Sequence, residues 1–307
     1  MLVDPRYTTS VEAMVKEYGD STIVQEVEGL NSRNQLWLAA SEQSMAVVAS
    51  KVTLSQAASV EAAGVEIVQL DNDPLLSLRL VKDVAELANM RAALAAAEIG
   101  FNAGASVLAE PGSTEIDVRS AIESTMLGAG AEEVGFSTIV ASGPNSLSPH
   151  STPTDRVIQD GEFVIIDFGG SIDGYKSDTS RTIWRGDLTP EQIAVYETVH
   201  EALDAATGVI VPGATYGQVK AAADEVIEAS GYSDFVLHPF GHNIGLDAHE
   251  RPYFSTTEPD GSTEMVENHV VALEPAVYVP GIGGVRIENL IVVTDTGCEV
   301  LNSLPIL

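Results

Sequence analysis

Hydrophobic and polar positions divide the chain into a short mixed segment and a longer one. In residues 1–76, apolar runs of strand length alternate with stretches of helical period, which predicts a small α/β N-terminal domain. We expect helices near residues 10–19 and 54–63 and strands at residues 21–27, 44–50 and 65–70. The turn residues DNDP at 71–74 favour a linker. A second domain is expected over 77–307, opening with helical periodicity from Leu78 to Glu110.

Two stretches of this second domain repeat one another. PGSTEIDVRSAIESTMLGAG at 111–130 aligns without gaps on PGATYGQVKAAADEVIEASG at 212–231, and apolar strands follow each. Both stretches open with a capping box and close on a glycine suited to a helix C-cap. Chance similarity between two amphipathic helices is the alternative. The repeat favours an α+β fold of two halves related by a pseudo-twofold, with helices over an antiparallel sheet and an active site in the cleft between them.

Composition narrows the function classes. The 45 acidic and 15 basic residues give a formal net charge of −30, which disfavours binding to nucleic acid and to anionic membranes. Cys298 is the only cysteine, which excludes an intrachain disulfide and a thiolate metal cluster. We find neither a signal-peptide pattern nor an apolar run of membrane-spanning length, and we therefore expect a cytoplasmic enzyme.

Four acidic residues interrupt strands that are otherwise apolar. They are Asp167 in EFVIIDFGG, Asp178 in SDTSRTIW, Glu274 in VVALEPAVYV and Glu288 in GVRIENLIVVT. Each could form a structural salt bridge, but the chain has few cations to pair all four, and a buried unpaired carboxylate is costly. Two acids on each of two hairpins, with an imidazole, are a suitable ligand set for two divalent metal ions such as Mn²⁺, Co²⁺, Fe²⁺ or Zn²⁺.

Histidine is concentrated in one segment. Three of the six histidines lie within HPFGHNIGLDAHE, residues 238–250. His238 and His242 have the i, i+4 spacing of a zincin helix, but Pro239 and two glycines oppose a helix and HExxH is absent. We predict an extended or irregular segment whose glycines let the backbone and the imidazoles crowd around a common point.

The segments DFGGSIDGYKSDTSRT, GHNIGLDAHERP, ALEPAVY and VRIEN occur in the order found in the pita-bread metallopeptidases, and the chain resembles that family over roughly residues 78–307. The family contains Xaa-Pro dipeptidase (prolidase), aminopeptidase P, methionine aminopeptidase and creatinase. The resemblance implies a pita-bread fold with a curved antiparallel sheet, two divalent metal ions, foremost Mn²⁺, and a homodimer.

The resemblance also assigns roles to individual residues. It implies that five residues bind the metal ions, with Asp178 and Glu288 shared between them: Asp167, Asp178, His242, Glu274 and Glu288. Glu274 is also the implied proton shuttle. The implied supporting roles are hydrogen bonding to substrate for His150, stabilisation of the tetrahedral intermediate for His249, substrate contact for His238 and Tyr278, and orientation of Glu288 for Arg286. A core role for Tyr278 is equally consistent with the sequence.

Among the activities of this family, hydrolysis of Xaa-Pro bonds in short proline-containing peptides fits best. The complete ligand set argues against a creatinase-like enzyme and against a non-catalytic peptide-binding relative. The N-terminal domain argues against a methionine aminopeptidase. Because that domain is short, the choice between a dipeptidase, which we favour, and an aminopeptidase P acting on longer peptides stays open, as does hydrolysis of another carbon–nitrogen bond.

Overall fold

The structure is a computed structural model in which the chain divides into two compact units, residues 1–75 and 76–307. It describes residues 76–307 throughout and, before them, residues 2–3, 25–26, 44–48, 53–62, 64 and 66–70.

The N-terminal unit contains two parallel strand pairs. Strands β1 (Leu2–Val3) and β2 (Gln25–Glu26) form one pair, and β3 (Ser44–Val48) and β4 (Glu66–Leu70) form the other. Helix α1 (Leu54–Ala62) connects β3 to β4, as a parallel pair requires. The predicted helix at 54–63 and the predicted strands at 44–50 and 65–70 are confirmed over the residues that the structure describes, and β2 lies within the predicted strand at 21–27. The predicted helix near 10–19 and the linker at 71–74 lie outside the described residues.

Five helices belong to the second unit: α2 (Leu76–Leu80), α3 (Val84–Leu108), α4 (Glu115–Gly128), α5 (Pro190–Thr207) and α6 (Tyr216–Ala229). The helical stretch predicted from Leu78 to Glu110 is interrupted at Asp83. The Asp83 side chain accepts hydrogen bonds from the backbone N–H groups of Ala85 and Glu86, so it caps a new helix.

Thirteen strands follow in this unit, and all of their pairings are antiparallel: β5 (Glu133–Val134), β6 (Ile139–Ser142), β7 (Val164–Phe168), β8 (Gly170–Ile172), β9 (Tyr175–Lys176), β10 (Thr179–Ile183), β11 (Gly241–Asn243), β12 (Glu250–Tyr253), β13 (Val270–Leu273), β14 (Ala276–Val279), β15 (Gly283–Arg286), β16 (Asn289–Val293) and β17 (Cys298–Val300). They form the sheets β10-β7-β6, β12-β11-β13-β16-β17 and β5-β8-β9 and the hairpin β14-β15.

The sequence repeat corresponds to a structural repeat. Thr114 caps α4 through a capping box with Asp117, and Thr215 caps α6 through one with Gln218. Both caps are also held by an isolated antiparallel bridge, Thr114 to Val157 in the first half and Thr215 to Glu264 in the second. The prediction of duplicated halves with helices over antiparallel sheets is confirmed.

Each half has its own core. In the first half, Val118 and Ile122 of α4 pack with residues of α3, β6 and β7. In the second half, Val199 of α5 and Val219 of α6 pack with residues of strands β13 to β16. The helices therefore cover one face of the strands, and the four acidic residues of the strand segments lie on the other face. No helix in the described part of the chain is long and apolar enough to cross a membrane.

Candidate metal centre and active site

The first pair of predicted acids comes from the hairpin of β7 and β10. Asp167 lies in β7 opposite Ser180, and Asp178 directly precedes β10, opposite Gly169 in the extended register. Because side chains alternate along a strand, Asp167 and Asp178 project from the same face. Gly169 is required here, since a Cβ atom at this position would lie 1.9 Å from the carbonyl oxygen of Ser177.

The second pair comes from strands β13 to β16. Leu273 pairs with Asn289, and Ala276 pairs with Arg286, so Glu274 and Glu288 occupy opposing positions between these two pairs. The backbone N–H of Glu288 donates to the carbonyl oxygen of Ser180 at 3.0 Å, which joins this hairpin to the first one. All four predicted acids thus reach one place in the structure.

His242 lies in β11, between β12 and β13, and the predicted non-helical segment is confirmed. The neighbouring Gly241 has φ 143°, and a Cβ atom there would lie 2.1 Å from the carbonyl oxygen of Ala272. The His242 Nδ1 donates to its neighbour's carbonyl, Asn243 O, at 2.9 Å, which leaves Nε2 as a lone-pair donor. Nε2 lies 3.7 Å from Asp178 Oδ2 and 3.7 Å from Glu274 Oε1.

Burial and mutual repulsion keep these carboxyl groups from ionising easily. Burial, followed by the charge of Asp167, raises the pKa of Glu288 to about 8. Burial, followed by the charge of Glu288, also raises the pKa of Asp178 and of Glu274 well above their ordinary values. Burial lowers the pKa of His242 to about 3, so this imidazole is neutral. A cluster of this kind needs added positive charge to become fully ionised.

The donor atoms fit divalent cations. Asp167 Oδ1 is buried and has no hydrogen-bond partner in the described part of the chain, as expected of an oxygen that faces an ion. The side chains form three sets whose donor atoms lie within 4.8 Å of one another: Asp167, Asp178 and Glu288; His242, Glu274 and Glu288; and Asp178, His242 and His249. Asp178, His242 and Glu288 each belong to two of the three sets. Hard oxygen donors with one imidazole nitrogen suit Mn²⁺, Co²⁺, Fe²⁺ or Zn²⁺.

Arg286 is buried beside the acids and holds several of their neighbours. Its Nη2 donates to Asp167 Oδ2 at 2.6 Å, and its Nε donates to Ser180 Oγ at 2.9 Å. The Ser180 hydroxyl in turn donates to Glu288 Oε2 at 2.8 Å. The family resemblance implies that Arg286 orients Glu288, and the structure links the two residues through Ser180 and also places Arg286 in direct contact with Asp167.

Tyr278 and His238 extend this network. The Tyr278 hydroxyl accepts from Arg286 Nη1 at 3.0 Å and donates to His238 Nε2 at 2.8 Å, while His238 Nδ1 donates to Pro239 O at 2.7 Å. Burial lowers the pKa of His238 to about 4 and raises that of Tyr278 to about 12, so both side chains are neutral. The Nδ1 atom of His238 also lies 3.8 Å from Glu274 Oε2.

All the predicted site residues except Tyr278 line one cavity of about 580 Å³. Tyr278 is connected to this cavity by its hydrogen bond to His238. The exposed ring of His249 lies 4.3 Å from that of His242, and the exposed His150 lines the same cavity. Ser180, which the sequence reasoning missed, is two residues from Asp178 and so on the same face of its strand. Arg119 and Thr138, also missed, line the cavity as well, and no sequence motif marked them.

The comparisons with known proteins agree with this geometry. Residues 88–295, more than half of the chain, match the sequence profile of metallopeptidase family M24. The chain belongs to metallopeptidase family M24. The five residues predicted to bind metal ions all lie within the matched residues.

Relatives in the family act on bonds to proline, according to their names. Xaa-Pro dipeptidase from Pyrococcus furiosus is 35% identical over 228 residues, which are 74% of this chain and 64% of that protein, so the chain spans just under two thirds of this relative. The solved structure of Xaa-Pro dipeptidase from Bacillus anthracis has a TM-score of 0.90 at 31% identity, covering 100% of this chain and 84% of that one.

A third relative carries the name of the other Xaa-Pro activity. The solved structure of X-Pro aminopeptidase from Thermotoga maritima has a TM-score of 0.85 at 32% identity, covering 99% of this chain and 85% of that one. Together these similarities confirm the pita-bread fold predicted from the sequence.

Proposed function

We propose that this M24 protein hydrolyses the peptide bond before proline in short peptides, as an Xaa-Pro dipeptidase that depends on two divalent metal ions. The observation that carries the proposal is the convergence of four carboxylates and the Nε2 lone pair of His242 on one cavity. The names of the Pyrococcus furiosus and Bacillus anthracis relatives support the choice of bond.

We assign Asp167, Asp178, His242, Glu274 and Glu288 as the ligands, with Asp178 and Glu288 shared. The place of Glu288 between the ions is supported by its membership of two sets of neighbouring donor atoms, one with Asp167 and Asp178 and one with His242 and Glu274. When bound, the ions would lower the pKa of water and polarise the scissile carbonyl. Mn²⁺ is the proposed native ion, because the set is rich in hard oxygen donors.

The remaining chemistry falls to side chains around the ligands. Glu274 accepts a proton from water and passes it to the leaving nitrogen of proline, a role that suits a carboxyl group whose pKa burial raises. His249 donates a hydrogen bond to the carbonyl oxygen as negative charge develops there. His150 and His238 contact the substrate, and Tyr278 holds His238 in its orientation through the 2.8 Å hydrogen bond.

The test is a matched peptide panel given to protein depleted of metal and then supplied with Mn²⁺, Co²⁺ or Zn²⁺. The panel contains an Xaa-Pro dipeptide, an Xaa-Pro-Yaa tripeptide, a longer Xaa-Pro peptide and a Met-Ala-Xaa peptide. Metal-dependent cleavage of the dipeptide in preference to the others is expected. Failure to cleave any peptide while two metal ions are bound would contradict the proposal and point to another carbon–nitrogen bond.

Preference for the longer Xaa-Pro peptides would identify an aminopeptidase P activity, the second candidate, which the structural similarity to the Thermotoga maritima enzyme supports. A homodimer and a cytoplasmic location are further proposals based on the sequence and the family resemblance. Light scattering on the purified protein and fractionation of the source cells test them.

A further inference from the structure

One wall of the cavity carries polar atoms that the proposed chemistry does not use. Arg119 of α4 and Thr138, which directly precedes β6, both line the cavity. The Arg119 Nε and the Thr138 Oγ1 are each buried, and neither has a hydrogen-bond partner among the residues that the structure describes. Buried polar atoms are nearly always paired in native proteins, so two orphaned atoms on one cavity wall call for a ligand.

The charges of the lining residues indicate the kind of ligand. Of the described residues that line the cavity, two carry a permanent positive charge, Arg286 and Arg119. The donors of Arg286 are already engaged by Asp167, Ser180, Tyr278 and the carbonyl oxygen of Pro149. Arg119 has no hydrogen-bond or ion-pair partner among the described residues, not even Glu123 one helical turn away on the same wall.

The position of this wall suits a short substrate. Ile139 pairs with Asp167 across β6 and β7, so this end of β6 lies next to the acid cluster. Phe136 and Ile139 line the same wall and offer apolar surface for a pyrrolidine ring. Two residues of extended peptide span at most roughly 7 Å, which keeps both ends of a dipeptide inside one cavity.

We infer that Arg119, assisted by the hydroxyl of Thr138, binds the free C-terminal carboxylate of the dipeptide substrate. This assignment rests on the proposed function. A carboxylate entering a cavity lined by acidic residues needs a cation, and a guanidinium with unused donors matches its geometry. Arg119 would then select dipeptides over longer peptides, whose C-terminus cannot reach it.

The experiment compares hydrolysis of Ala-Pro with that of Ala-Pro-amide by the metal-loaded enzyme. Arg119→Gln should lower kcat/KM for Ala-Pro by roughly 10- to 100-fold, mainly through KM, because a charged hydrogen-bonding pair is lost. The same variant should change kcat/KM for Ala-Pro-amide less than about threefold. Arg119→Lys should fall between Arg119→Gln and wild type, and Thr138→Val should lose less than Arg119→Gln with the same selectivity.

Arg91→Gln is the matched control, since Arg91 lies on α3, pairs with Glu299 at the surface and does not line the cavity. It should leave both substrates unchanged. If wild type cleaves Ala-Pro but Arg119→Gln loses no more on Ala-Pro than on the amide, the assignment of Arg119 is wrong while the proposed function stands.

An acidic substrate side chain is the other source of a carboxylate. A loss by Arg119→Gln that is confined to Glu-Pro-amide, with Ala-Pro unaffected, would overturn the assignment to the C-terminus. A wild-type enzyme that is loaded with metal but inactive on every Xaa-Pro substrate would overturn both the proposed function and this assignment.

Discussion

The guanidinium of Arg286 donates a 2.6 Å hydrogen bond to Asp167 although the two residues are 119 positions apart in the chain. One is in β15 and the other in β7, so the contact ties the two hairpins that supply the acids. The contact holds Asp167 Oδ2 in place, while Oδ1 has no hydrogen-bond partner among the described residues. The pair thus orients a carboxylate with one oxygen free for a metal ion.

Replacing Arg286 by lysine should therefore not be conservative. A single ammonium group cannot hold Asp167, Ser180 and Tyr278 at the same time. We expect the affinity for Mn²⁺ to fall by roughly 10- to 100-fold, as is typical when a residue that supports metal ligands is changed. Isothermal titration calorimetry of metal-depleted protein measures this, with Arg91→Lys at the surface as control. Unchanged affinity in Arg286→Lys would show that Asp167 does not need this contact.

The ligand assignment predicts that metal and activity are lost together. Asp178→Asn or His242→Ala should reduce bound metal and lower kcat/KM by more than about 100-fold, the upper range for residues that only support ligands. Metal analysis and peptide hydrolysis on the same sample measure both quantities. Asp204→Asn, on an exposed carboxylate of α5, is the control. Wild-type metal content and turnover in either ligand variant would mean that the centre is misplaced.

His249 provides the complementary case. Although its ring lies beside His242 and close to Asp178, we assign it to the oxyanion and not to the metal. His249→Ala should keep wild-type metal content and lower kcat by roughly 10²- to 10³-fold, the usual loss for one oxyanion donor. Loss of metal in this variant would make His249 a ligand, and full activity would remove it from the mechanism.

The raised pKa of Glu288 predicts a pH-dependent stability for the metal-free protein. Folding raises this pKa from an ordinary 4.5 to about 8, so the folded state binds more protons than the unfolded state between these values. The free energy of unfolding should therefore fall as pH rises through that window, by up to about 1.4 kcal/mol per pH unit for this group.

Urea denaturation between pH 7 and 8 measures this decline, to which Asp178 and Glu274 also contribute because burial raises their pKa as well. Most unfolded histidines are deprotonated in this range, while Lys82, whose pKa burial lowers to about 8, opposes the decline as it titrates. Glu288→Gln should flatten the decline. Saturating Mn²⁺ should also flatten it in wild type, because bound cations keep the carboxylates ionised. An equally steep decline in Glu288→Gln would assign the proton to another group.

Local patterns in the sequence were sufficient for much of the fold. The capping boxes at Thr114 and Thr215 join residues three apart, and strand alternation placed Asp167 and Asp178 on one face. Such features depend on backbone periods of 3.6 and 2 residues, which are visible along the chain. Asp83 is the exception: it caps a helix inside a continuous helical pattern, because its side chain competes for backbone N–H groups.

The sequence by itself thus determined the duplicated fold, the acids that belong together and the histidine-rich segment. Only the tertiary structure decided that Arg286 contacts Asp167 and that Ser180 carries this contact on to Glu288. It also decided that Arg119 Nε has no hydrogen-bond partner within the part of the chain that the structure describes. Whether a donor is satisfied depends on side chains that are brought together from distant parts of the chain. No local sequence period encodes the distance between such side chains, because the packing of the two halves sets it.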